Sequence, residues 1–327
     1  MKRFSVLLVA MLCLAFTAMS QTDEFKPGGK PFMKIFTNYH TTFSDGASAS
    51  AFELTRLYLG YEYAFSKNLT GKANFDIGDP GNGSKLQMVA YVKNAFLNYK
   101  VNNLSVNFGL IGTTQFSLQE SMWGNRYVEK SFQDKFGFNS SADLGVSATY
   151  KFCDFFSADV IVTNGEGYKK VQADSTFRTG FGVTVKPVKK LVARAYYDFI
   201  TKTNTQSSLS TFVGYTADNF TIGAEYNTQS NNGFKDGQDL SGTSFYASVK
   251  TSEKVKLFAR FDDLTSNKIN GSSDGWHLSK DGQLYIAGLE YAPVKGIKLA
   301  PNFSGWSPAD KSKAFSSSLF LSCEIKF

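Results

Sequence analysis

The sequence predicts an all-β protein: a transmembrane antiparallel β-barrel of about sixteen strands, with its third extracellular loop folded inward. Three observations predict it. Apolar and polar residues alternate with period two through most of the chain, short turns alternate with longer loops, and the chain ends on an amphipathic strand with a terminal aromatic. That last strand, Ser316 to Phe327, puts Phe327, Ile325, Cys323, Leu321 and Leu319 on one face and Lys326, Glu324, Ser322, Phe320 and Ser318 on the other. At the edge of a soluble sheet such an apolar face invites aggregation. In a membrane barrel it meets lipid, while the polar face meets a wet interior and the last aromatic rests among the headgroups.

The N-terminus has a basic start (Lys2, Arg3), an apolar run from Phe4 to Phe16, and small residues at Ala18 and Ser20. This predicts a secretory signal peptide over residues 1–20, cleaved before Gln21. Cys13 is a poor lipoprotein anchor, because Leu12 precedes it where a small residue is wanted. Residues 21–31 form a polar leader, and residues 32–327 form a single barrel domain with no composition shift to divide it. Cleavage removes Lys2 and Arg3, so the net charge falls from +7 to +5. No basic stripe remains for nucleic acid, and no later window supplies the ~18 apolar residues of a spanning helix. Outer-membrane lipid is the partner this surface predicts. Cys153 and Cys323 lack metal-ligand spacing, and only His40 and His277 could assist them, so no metal and no cofactor is expected. Set far apart around the wall, the two cysteines are expected as free thiols.

From Phe32 the alternation begins. Met33, Ile35, Thr37, Tyr39, Thr41 and Phe43 share a face opposite Lys34, Asn38, His40 and Thr42; Leu57, Leu59, Tyr61 and Tyr63 oppose Arg56, Tyr58, Gly60 and Glu62. The pattern recurs at Leu69–Ile77, Leu104–Leu110, Leu144–Tyr150, Phe177–Val185, Ala193–Phe199, Phe220–Tyr226, Phe245–Val249, Val255–Phe261 and Tyr285–Tyr291. A bulge exchanges the faces of a strand, and the alternation is weakest over Tyr91 to Tyr99. Tight polar turns, such as Ser66–Asn68, Val101–Asn103 and Val294–Gly296, alternate with longer loops rich in Gly, Asn, Ser and Asp. Outer-membrane barrels have this asymmetry, with the short side periplasmic. Tyr63, Tyr99, Tyr150, Phe152, Tyr215, Tyr291 and Phe327 gather beside the short turns as an interfacial girdle. The glycines of G-E-G and D-P-G-N-G sit in loops and serve turns, not phosphate cradles.

One loop stands apart. Thr113 to Ser141, the third on the long side, holds Trp123, Tyr127, Phe132, Phe136 and Phe138. So many aromatics need burial, and the nearest shelter is the barrel's own interior. The loop's G-L-I-G-T-T-Q-F-S-L-Q-E-S-M-W-G-N-R-Y-V-E-K-S-F, with Glu120, Arg126, Tyr127, Glu129 and Lys130, followed by S-A-D-L-G-V, resembles the phosphate-selective porins O and P; so does the arginine of L-T-R-L-Y-L-G. The resemblance is divergent over most of the barrel and specific around this loop. It implies an outer-membrane passive channel for small hydrophilic solutes or ions, often a homotrimer.

The expected constriction is Trp123, Arg126, Tyr127, Glu129, Lys130 and Lys135, with Arg56, Arg178, Arg194 and Arg260 as cationic steps along the opposite wall. Phosphate selectivity does not carry over. In the loop Arg126, Lys130 and Lys135 are balanced by Glu120, Glu129 and Asp134, and the inferred inner wall is only slightly cationic. At most a mild anion preference is expected, because charged rings select only where a pore is narrow. An enzyme would need a nucleophile, a base and an orienting group together. His40 reads as a satisfied wall residue, and His277 has only Asp274 nearby. An energised transporter would need a plug and about twenty-two strands. The stronger rival is a non-conducting structural or adhesive barrel that uses its long loops as a binding surface.

Overall fold

A computed structural model describes residues 25–79, 88–269 and 271–327; the expected signal peptide and Cys13, and most of the D-P-G-N-G turn, lie outside the described residues. Strands β1 Gly28–Ser44, β2 Ala47–Ala64, β3 Leu69–Gly78 and β4 Val89–Val101 come first. Next are β5 Leu104–Gly112, β6 Ala142–Lys151, β7 Phe156–Thr163 and β8 Arg178–Val188. Then come β9 Leu191–Thr201, β10 Thr205–Thr216, β11 Phe220–Ser230 and β12 Leu240–Lys250. The last four are β13 Val255–Ser266, β14 Gly282–Tyr291, β15 Ile297–Pro308 and β16 Ser316–Lys326. Each strand pairs with its neighbours in sequence, and β1 closes the ring on β16, with Ile35 opposite Ile325 and Tyr39 opposite Leu321. Closure leaves no unpaired edge in lipid, which is what a membrane sheet requires.

The alternation sorts the two faces as the pattern demands. Leu59, Leu97, Phe108, Val183, Leu257 and Leu321 lie exposed on the outside, whereas their inward neighbours are largely covered. Tyr150, Phe152, Tyr291 and Phe327 are exposed near the short turns, where a girdle belongs. β1 starts at Gly28, four residues before the expected Phe32, because Gly28–Pro31 pair with Tyr61–Ala64, with Lys30 3.9 Å from the Glu62 carboxylate across the pair. Nothing in Gly-Gly-Lys-Pro alternates, so no side-chain pattern announces this pairing.

The long side of the barrel is less uniform than expected. β1 and β2 are joined only by Asp45 and Gly46, both left-handed at φ 50° and 74°. That is the Asp-Gly hairpin turn. These two strands are 17 and 18 residues long, so the extra length sits in paired backbone and not in the loop. Residues 202–204 likewise make a short link between β9 and β10.

Three shifts break the register among the described residues, one of them between Val185 and Val188 where β8 turns into β9. β1 and β2 slip between Phe36 and Thr37, and β3 and β4 slip between Asn74 and Phe75, where the partners jump from Asn94 to Val92. The supernumerary residue in β4 is Lys93. Val92 and Leu97 are both exposed on the outside, so one residue between them must break step. Lys93 accordingly turns inward beside Arg56. Cys153 and Cys323 are free; Cys323 lies in β16 between Thr37 and Leu299, and Cys153 lies in the turn after β6.

Candidate functional site

The barrel's apolar core lies inside the ring, between the third loop and the wall. The loop opens with α1 Ser117–Trp123, which stops at Gly124; this residue is left-handed at φ 67° and its N–H donates to the Glu120 carbonyl at 3.1 Å. A single turn, α2 Phe132–Lys135, follows. At its base the loop is tied by Thr113 N–H to the Ser141 carbonyl (3.1 Å) and Thr113 Oγ1 to the Ser140 carbonyl (2.7 Å).

Trp123, Tyr127, Phe132 and Phe138 are buried as expected, each contributing on the order of 2 kcal/mol by leaving water, and Phe136 is half-buried. Trp123, Tyr127 and Phe36 share one cluster with Phe212, Tyr246 and Phe258, while Phe132 and Phe138 pack with Leu240 and Leu264. Phe136 lies against Trp306. The Trp123 ring meets Phe258 edge-on at 5.9 Å, and its indole donates to the Glu129 carbonyl at 2.9 Å.

Polar contacts complete the attachment on the β9–β14 side. Gln133 and Gln119 both donate to Ser210 Oγ, Gln229 donates to the Phe138 carbonyl, and Tyr246 to the Gln119 carbonyl. At the tip, Tyr127 donates to Glu290 at 2.9 Å, and Lys256 donates to Asn125 Oδ1 at 2.9 Å. Burial, then the Glu290 charge, pushes the Tyr127 phenol up, so it remains a donor.

The expected site residues fall into three groups. Trp123 and Tyr127 anchor the loop. Arg126, Glu129 and Lys135 pair within it: Arg126 with Glu120 (3.2 Å) and Asp134 (3.1 Å), Lys135 with Glu129 (2.6 Å). Burial pushes the Glu129 carboxyl up, but Lys135 overrides it and holds it below its ordinary value. Among the described residues Lys130 alone of the loop's cations has no carboxylate within 4.0 Å, and burial pulls its ammonium below the ordinary lysine value.

The wall arginines differ from expectation. Arg178, Arg194 and Arg260 are buried rather than lining an open wall, and each has a carboxylate partner: Asp198, Asp159 and Asp262. Arg194 also donates to the Thr114 carbonyl and Arg260 to the Lys130 carbonyl, so these two hold the loop's own side. The physical reason is that a guanidinium under a desolvated loop must be paired, and the inward carboxylates beside it are the partners at hand. Replacing Arg260 with Met therefore strands the Asp262 charge and releases the loop. We expect a loss of about 3–5 kcal/mol, read as a lower unfolding midpoint of the detergent-solubilised barrel; an unchanged midpoint would show the pair to be dispensable.

Only Arg56 looks across at the loop. It pairs with Asp76 at 2.8 Å and borders a space of about 270 Å³ with Lys93, Arg126, Lys130, Asp134 and Glu166. The fourth loop joins here. Tyr168 donates to Asp76 at 2.6 Å, and Lys169 and Lys170 line the same space. Gly165 and Gly167, at φ 97° and 81°, make the bend that carries Tyr168 inward; a Cβ on Gly165 would strike Ile200 at 2.5 Å. G-E-G is thus turn chemistry, as its sequence suggests.

Sequence reasoning missed Lys93, Lys169 and Lys170. For Lys93 the signal was Val92-Lys93-Asn94-Ala95, two adjacent polar residues between outward-facing ones, which is the mark of a bulge. Glu166 is committed to Lys202 at 3.3 Å and Asp134 to Arg126, so the carboxylates bordering this space are already paired.

Elsewhere, His40 Nδ1 lies 2.8 Å from Asn38 Oδ1, a satisfied wall residue. His277 meets Asp281 at 2.9 Å, not Asp274, and Ser266 Oγ donates to that same Asp281 at 2.5 Å. The hydroxyl points at the acid and not at the imidazole, which is not the order of a nucleophile and its base.

No family model and no curated protein matches the sequence. Solved structures match its fold along nearly the whole chain. Pseudomonas putida OprB has a TM-score of 0.71 at 8% identity, covering 92% of this chain and 94% of its own. An anion-selective porin from Comamonas acidovorans has a TM-score of 0.65 at 11% identity, covering 92% and 100%. The trimer form of OmpT, an outer membrane protein of Vibrio cholerae, has a TM-score of 0.60 at 15% identity, covering 91% and 99%. The phosphate-selective porins O and P are not singled out. The chain has the closed sixteen-stranded barrel fold of outer-membrane porins.

Proposed function

We propose that this protein is a passive outer-membrane channel for small hydrophilic solutes, constricted by its third loop and preferring anions, and that it assembles as a homotrimer. One observation carries the reading. Around the 270 Å³ space, Arg56 and Arg126 are neutralised by carboxylates, and Lys93, Lys130, Lys169 and Lys170 remain, each without a carboxylate within 4.0 Å among the described residues. Uncompensated charge at a narrow point selects, whereas the paired charges of a wide lumen only keep it wet. The trimer form of the Vibrio cholerae barrel supports the assembly.

In planar bilayers across a potassium chloride gradient, we expect steady unitary currents with a reversal potential displaced toward chloride. A purified barrel that inserts and stays silent would instead favour the structural or adhesive alternative.

A further inference from the structure

Taking the channel reading as its basis, we infer that the narrow space is a binding slot for small carboxylates bearing an aromatic ring, in preference to compact inorganic oxyanions. Two features carry this. The first is the state of the arginines. A guanidinium recognises a tetrahedral oxyanion through paired N–H donors. Here the Arg56 charge is compensated by Asp76 at 2.8 Å, and the Arg126 charge by Glu120 and Asp134, so neither guanidinium offers an entering anion unbalanced charge. The lysines are left, and an ammonium is a point charge that does not distinguish one anion's shape from another's.

The second feature is what surrounds the lysines. The Lys93 ammonium lies 5.0 Å from the centre of the Tyr58 ring and 5.4 Å from that of Tyr168, and Lys169 lies 4.7 Å from that of Tyr91. Tyr91 and Tyr168 meet edge to face at 6.4 Å and 88°. Tyr168 is fixed through its hydroxyl to Asp76, and Tyr58 stands edge-on to Phe36 at 5.8 Å. The free cations are therefore set on a rigid aromatic frame. A carboxylate entering here takes the ammonium, and an aromatic ring attached to it packs beside Tyr168, which borders the space, and Tyr91, which meets Tyr168 edge to face. Chloride or phosphate gives up hydration and meets only the charge. A ring-bearing anion gains apolar burial and ring contact as well.

The test compares benzoate, cyclohexanecarboxylate and phosphate as blockers of chloride current through single channels at pH 7 and constant ionic strength. We expect benzoate to halve the current at a concentration about three- to tenfold lower than either of the others, the range one aromatic contact supplies. Tyr91→Leu should erase that advantage and leave phosphate block unchanged, while Lys93→Met should weaken block by all three. Equal or stronger block by phosphate, equal block by cyclohexanecarboxylate, or a Tyr91→Leu variant that shifts all three alike would each overturn the inference. Should the barrel carry no current, the channel reading fails separately. The slot is then decided by titration calorimetry of the same three anions into the purified protein, where benzoate binding tighter than both others supports it and any other order overturns it.

Discussion

Excising Ser121–Asp134 multiplies the unitary conductance several-fold, the largest change we expect from any alteration of this protein. The segment contains the end of α1, the tip and most of α2, and it brings Trp123, Tyr127 and Phe132 into the lumen. Resistance concentrates where a pore is narrowest, so removing that plug of side chains widens the step that limits flow. The ring itself rests on sixteen paired strands, which the excision does not touch. It does uncover Tyr246, Phe258 and Arg260, so the barrel should unfold at a lower temperature. A gentler variant, lacking only Asn125–Lys130 and retaining both helical turns, keeps the test decisive where the larger cut lowers yield. Conductance equal to the parent's in both variants would show that the loop lies beside the current path and does not limit it.

The second large effect is on selectivity. Lys93→Glu should move the reversal potential well toward potassium in a salt gradient, because it halves the uncompensated charge left at the space by Lys93, Lys130, Lys169 and Lys170. The substitution changes the local charge by two at a residue that has no carboxylate within 4.0 Å among the described residues and borders the space shared by both loops. Lys100→Glu is the control. Lys100 is exposed beside the short turn after β4, at the barrel's other end, where screening by bulk salt is effective. Its reversal potential should barely move. Equal shifts from the two positions would mean that overall lumen charge governs the preference, and that the bulge lysine has no special place.

The lipid face of β16 was readable because period two is a property of the strand itself, and membrane burial forces apolar residues into it regardless of the neighbours. The inward loop was readable for a similar reason: Trp123, Phe132 and Phe138 require burial, and a barrel offers one place for it. The site's charges were not readable. Arg126 and Lys130 are four residues apart in one loop, yet Arg126 is neutralised by Asp134 and Lys130 is not, a difference made by side-chain approach and not by spacing. Arg178, Arg194 and Arg260 looked like a cationic wall until the folded chain placed Asp198, Asp159 and Asp262 against them.

By itself, then, the sequence determined the barrel, its strand number, the lipid face and the burial of the third loop, because each follows from local periodicity and the cost of wetting apolar surface. The tertiary structure alone decided which cations stay free. Lys93 faces inward through a bulge between β3 and β4, and Lys169 and Lys170 arrive through a fourth loop that Tyr168 fastens to Asp76. Free charge is what remains after every ion pair has formed, and ion pairs join residues far apart in the chain. No local pattern can count them.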